Sequence, residues 1–179
     1  MHPAIKSKLN TKGLLFNKNK LHIVGDISAE SFLKFSEELA AVEKKGIDEP
    51  IVIELSSGGG VAYDGLAFYS RIRLSPCGFI IMAYGLVASA ASIILMAGDV
   101  RIMTKESWFM VHEDSGGVEG EVNVMEREIK HMRRMEEQWN CILTKHSKVT
   151  KGVWEKMNKE TTYLTAQQCL SLGIVDLII

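Results

Sequence analysis

Five short runs rich in aliphatic and β-branched residues lie between Leu21 and Val111, and segments with helical spacing separate most of them. The runs are Leu21–Val24, Ile51–Leu55, Gly78–Ala83, Val100–Met103 and Trp108–Val111. Gly25-Asp26 ends the first, and Tyr84-Gly85 reads as a turn after the third. Ser28 offers a helix cap, and Phe32, Phe35, Leu39 and Val42 recur at helical spacing as far as Lys45. Further helices are expected over Ala62–Arg73 and over the small-residue segment Ser89–Ala97. Strands that alternate with helices at this spacing predict an α/β domain with largely parallel pairing.

Beyond Gly116-Gly117 the pattern changes. A long charge-rich helix is expected over Val122–His146, with Met125, Ile129, Met132, Met135, Trp139 and Ile142 on one apolar stripe. Such a stripe reads as core or as a subunit contact. The chain closes with helices near Lys151–Asn158 and Ala166–Leu172 and a strand over Ile174–Ile179. Neither a repeat nor a Pro/Ser-rich linker interrupts the pattern, so residues 21–179 read as one domain preceded by an arm over residues 1–20.

Composition narrows the function classes. Basic and acidic side chains number 21 and 22, for a net charge of −1, and no Lys/Arg block is long enough to track phosphates. Nucleic acid is therefore not an expected partner. Cys77, Cys141 and Cys169 lack metal-ligand spacing and suit a reducing compartment as core residues. The Lys/Asn-bearing N-terminus has no continuous apolar stretch of the secretory type. The longest apolar region, Ile80–Gly98, is broken by Tyr84, Gly85, Ser89 and Ser92, so no membrane span is expected. A soluble, cytoplasmic protein is the expectation.

Three segments hold residues ill suited to mere packing. Ser57-Gly58-Gly59-Gly60 joins a strand to a helix, and its glycines let backbone approach a ligand or simply flex. Neither the Gly-Lys-Ser/Thr signature nor the GxGxxG spacing of phosphate loops is present. Tyr84 to Ser92 places Ser89 at a strand-to-helix junction among small residues, a position that suits an N-cap or a nucleophile. Trp108-Phe109-Met110-Val111-His112 ends a strand in an imidazole, which can take up and return a proton near neutral pH. His2, His22, His131 and His146 sit in the arm, in a short strand and on a polar helix, with weaker claims.

The order of these segments resembles that of the ClpP family, the proteolytic subunit of the ATP-dependent Clp protease, across nearly the whole of Leu21–Ile179. Ser57-Gly58-Gly59-Gly60-Val61 with Gly65-Leu66-Ala67-Phe68-Tyr69 is similar to the family's SPGGSV…GLAIY segment. Gly85 to Ser92 resembles its GxAASMGS nucleophile segment, and Met110-Val111-His112 with Ser115-Gly116-Gly117 its MIHxPSGG. Leu164-Thr165-Ala166 with Leu172-Gly173-Ile174-Val175-Asp176 resembles FLTAxEAxxxGLVD.

The resemblance implies a ClpP/crotonase-like spiral of ββα units with a protruding handle, a strand plus the long helix, over about 117–146. It implies Ser89 as nucleophile, His112 as general base, and the amides of Gly59 and Ala90 as oxyanion hole. It further implies stacked heptameric rings that cleave unfolded protein or peptide substrates. No cofactor is implied, since ATP would be used only by a partner AAA+ unfoldase. The family's acid falls here on Thr161, with Glu160 adjacent, so the third member of the triad stays open. The family's proline after the histidine is Asp114. The short, Lys/Asn-rich arm departs from the family's N-terminal loop, which leaves the unfoldase contact open. A catalytically weak or inactive subunit that modulates ring assembly, and a crotonase-like acyl-CoA enzyme, are the alternatives.

Overall fold

The computed structural model describes residues 19–46, 49–113 and 115–179. Most of the arm expected over residues 1–20 lies outside the described residues, as does Asp114; Lys20 belongs to the first strand. The chain runs β1 (Lys20–Val24), α1 (Ala29–Glu43), β2 (Ile51–Ser57), α2 (Ala62–Arg73), β3 (Phe79–Ala88), α3 (Ala90–Met96), β4 (Val100–Met103) and β5 (Trp108–Val111). It continues through α4 (Val122–Lys145), α5 (Lys151–Lys159), β6 (Thr162–Thr165), α6 (Ala166–Ser171) and β7 (Leu177–Ile178). The sheet order is β1-β2-β3-β4-β7, all parallel, with β5 parallel to β3 and β6 antiparallel to β5.

Tyr84-Gly85 is not the turn expected of it but lies inside one continuous ten-residue strand. Along β3, residues 80–83 pair with β4 and residues 86–88 with β5. The register against β2 slips between Leu55 and Ser57, and Gly85 takes φ +59° beside the slip. A bulge bends a strand without ending it, and glycine accepts the positive φ that the bend needs. Both halves of β3 thus find ladder partners, which a turn would have forfeited.

Local signals formed as written in the sequence where caps are strong. Ser28 and Ser31 exchange side-chain and backbone bonds at the start of α1, and Thr165 and Gln168 do the same for α6. Every residue of α3 is buried, so this short helix is the axis of the core rather than a surface element. Gly65 of α2 permits that packing, since a Cβ there would stand 3.0 Å from Ala90 O. The strand expected over Ile174–Ile179 shrinks to β7 because Ile174 and Val175 turn into the core. The antiparallel strand β6 was not expected from the sequence.

Helix α4 buries only Asn140 and Leu143, near its C-terminal end, and leaves Val122 and Ile129 exposed at 65% and 46%. Its first half stands off the core, as a handle would. The strand expected ahead of it does not form: 115–121 run without ladder pairing among the described residues. A strand needs a neighbour's edge, and a single chain offers none there. Among the described residues, no helix is long and apolar enough to cross a membrane.

The C-terminal segment is locked by Arg101, whose guanidinium meets Asp176 at 3.3 Å and also donates to His146 O. Burial, and next the positive field of Arg101, push His146 down to about 4 from an ordinary 6.5, while Tyr69 Oη lies 2.9 Å from its Nε2. The unfolded chain therefore takes up this proton near 6.5 and the folded chain only near 4, so stability is lost as pH falls through that window. His146→Gln should flatten the acid-side decline of the thermal midpoint between pH 6.5 and 4 relative to the parent protein. Parallel declines in the two proteins would refute this assignment.

Candidate active site

Ser89 follows the last residue of β3 and precedes α3, with φ +53° and ψ −124°. It is one of two non-glycine residues with positive φ among the described residues, the other being Thr161. Such backbone costs about 1–3 kcal/mol and persists only where its surroundings impose it. Here the Ser89 N–H donates to Met110 O at 3.0 Å, which ties the junction to β5. The hydroxyl makes no cap bond to α3, so Ser89 is not a side-chain N-cap. Instead Oγ lies 2.8 Å from His112 Nε2.

That meeting follows from strand register. Leu86, Val87 and Ala88 pair with Trp108, Phe109 and Met110, so Ser89 and His112 emerge just past the C-terminal ends of neighbouring parallel strands. Ligand sites of open parallel sheets gather at this edge, where the chain leaves the ladder for the next helix. The glycine loop after β2 opens onto the same edge. Ile27 N–H donates to Gly59 O, and Val61 N–H to Ile27 O, both at 2.8 Å, which pins the loop against the chain that follows β1. Gly59, at φ +107°, presses so close that a Cβ would stand 2.6 Å from Ser89 Cβ.

The two amides expected at the oxyanion hole differ. Ala90 heads α3, where a first-turn N–H has no intrahelical acceptor. The Gly59 N–H already donates to Ser57 Oγ at 3.0 Å. An oxyanion at Ser89 would have to compete with that hydroxyl.

A cavity of about 320 Å³ lies beside these groups, lined by Ser89 and His112 on one side and by Met132, Met135 and Trp139 of α4 on another. Long, flexible thioethers beside an indole make an adaptable apolar wall. Part of the stripe expected on α4 therefore faces the site. Cys169 is remote from this chemistry; burial pushes its thiol up to about 12 and leaves it an inert core group.

Thr161 precedes Thr162, the partner of Val111, so β6 carries it to the position beside His112, with Glu160 one residue further off. Thr161 is exposed, with φ +49° and its N–H on Asn158 O at 3.1 Å. Glu160 is exposed as well and stands 3.8 Å from Lys156 Nζ. Among the described residues neither bonds the imidazole. Sequence reasoning passed over Asn158, which is buried and lines the cavity. Its spacing of four from Trp154, the other buried side chain of α5, was the available signal.

Comparison with known proteins gives a consistent picture. The model of the Clp protease family matches residues 5–179. An ATP-dependent Clp protease proteolytic subunit 2 from Treponema denticola is 27% identical, covering 97% of this chain and 90% of its own length. A proteolytic subunit 1 from Salinibacter ruber is 29% identical over 78% of this chain and 60% of its own length. Among solved structures, a point mutant of ClpP1 from Listeria monocytogenes superposes with a TM-score of 0.83 at 24% identity, covering 96% of this chain and 95% of that one, a likeness of fold. With its whole described length inside the matched region, and its strand-end serine and histidine in the order that the family resemblance implied, the chain belongs to the Clp protease family.

Proposed function

We propose that this protein is a serine endopeptidase subunit in which Ser89 attacks the peptide carbonyl and His112 moves the proton. The observation that carries the reading is the 2.8 Å contact between Ser89 Oγ and His112 Nε2 at the mouth of an apolar cavity. As Oγ bonds to the carbonyl carbon, its proton passes to Nε2 and the carbonyl oxygen becomes an oxyanion beside the Ala90 amide. The Gly59 amide joins it by exchanging Ser57 Oγ for the developing charge. Collapse of the intermediate expels the amine, which leaves with the proton from His112. Water then repeats the sequence on the acyl-enzyme and restores Ser89.

The strained Ser89 backbone supports this role, since it turns the hydroxyl away from capping and toward the base. The exposed Val122 and Ile129 on α4 support self-association, in stacked heptameric rings as the family resemblance implies. Unfolded chains would be cleaved inside such a chamber in the cytoplasm. The names of the two relatives support a partner ATPase as the user of ATP, this chain itself needing no cofactor.

One observation favours a second reading, a weak or inactive subunit that modulates ring assembly. The family's acid position is the exposed Thr161, which supplies no charge to stabilise an imidazolium at His112. The acyl-CoA reading draws no support from any of these features.

A fluorophosphonate probe should label the purified protein at Ser89, and Ser89→Ala should abolish both labelling and hydrolysis of a fluorogenic peptide. His112→Ala should slow hydrolysis by about 10³-fold or more. A folded, assembled protein that takes up no probe would instead leave the modulating subunit. The glycine loop makes a second prediction. Gly59→Ala should cut kcat/KM by roughly 10²-fold or more, because its methyl would displace Ser89 and disturb an oxyanion donor. Gly58→Ala, where a Cβ meets nothing within 4 Å, should retain activity within about threefold. Equal effects of the two substitutions would refute the packing argument.

A further inference from the structure

Asn158 ends the buried face of α5 and is 8% exposed. Its side-chain nitrogen donates to Asn140 Oδ1 at 2.8 Å, while its own Oδ1 is buried without a hydrogen-bond partner among the described residues. A buried carbonyl oxygen left unpaired is unfavourable and calls for an explanation. The backbone of Asn158 is held beside the base, since its carbonyl accepts from Glu113 N–H at 2.9 Å, one residue past His112. Asn158 and His112 line the same cavity. His112 turns Nε2 to Ser89, which leaves Nδ1 as the ring nitrogen to be held from the other side.

We propose that Asn158 Oδ1 is the acceptor for His112 Nδ1–H and so positions the general base, in place of a carboxylate at Thr161. The inference rests on the peptidase reading for its catalytic meaning. The bond is not closed in this structure; forming it needs a turn about the terminal torsions of these side chains, which are soft. Holding the proton on Nδ1 leaves the Nε2 lone pair facing Ser89, which is the tautomer that acylation needs. A neutral amide suffices for that purpose, as it does in Cys-His-Asn peptidases, but it lends the imidazolium less support than a carboxylate would. Asn158 is thus a positioning residue. The other titratable groups near the ring are Glu136 of α4 and Tyr63 of α2, on the cavity wall, and Glu113, next in the chain.

The test is histidine-labelled NMR titration of the full chain, which reads His112 without requiring activity, alongside peptide hydrolysis. Relative to the parent protein, the His112 midpoint should fall in Asn158→Ala and rise by about one pH unit in Asn158→Asp, where the acceptor becomes charged. In Asn158→Ala kcat should drop roughly 10- to 100-fold with KM within about threefold. Asn158→Asp should recover the rate above its raised midpoint. The inference is overturned if the midpoint stays put in both variants, or if only Glu136→Gln moves it. Should Asn158→Ala fail to fold, the near-isosteric Asn158→Asp decides by the same midpoint. A midpoint that moves as expected in a chain without Ser89-dependent hydrolysis would sink the peptidase reading while the contact stands. Normal hydrolysis with an unmoved midpoint would do the reverse.

Discussion

The site depends on one change of hydrogen-bond partner partway along β3. The strand leaves β4 after Ala83 and takes up β5 from Leu86, with Gly85 absorbing the bend at φ +59°. Had β3 kept a single neighbour, Ser89 and His112 would end on strands that never meet. With the switch, each residue from Leu86 to Ala88 has a counterpart on β5, and the next step delivers the Ser89 amide to Met110 O. A slip in one ladder thereby sets the distance between two side chains that are 23 apart in sequence.

The same edge concentrates positive-φ backbone, strained at Ser89 and free of strain at the glycines. Ser89, Gly59 and Gly60 all take positive φ within one contact shell, where Gly59 abuts Ser89 and Gly60 abuts Ile27. Strain of this kind needs a rigid surround, and α3, buried on every side, provides it. The stiff core and the strained junction are two aspects of one arrangement. A looser core would let Ser89 relax toward ordinary helix-start geometry and return its hydroxyl to capping.

The candidate site was legible in parts. Ser89 and His112 stood out because a small-residue junction and a strand-end imidazole are poor packing choices, and the fold brought them together. The glycine loop was read as backbone free to approach a ligand or to flex; what Gly59 approaches is Ser89 itself, and the Ser57 hydroxyl that occupies its amide was not foreseen. Asn158 escaped notice because a polar residue in a short amphipathic helix reads as solvated until its partners are known. Thr161 and Glu160 were weighed through the family resemblance, and both are exposed. The strand β6 was missed because four residues carry too little periodicity to stand apart from the helices on either side.

By itself the sequence determined the local grammar of this protein. Cap residues, apolar periodicity and glycine positions are encoded within a few residues of one another, so the helices, most strands and the α/β class follow from it. Tertiary structure alone decided which strand ends are neighbours, which amides stay available and which polar side chains are enclosed with the base. Those outcomes depend on register and burial, which are set by contacts between residues far apart in the chain. Short-range patterns cannot encode them.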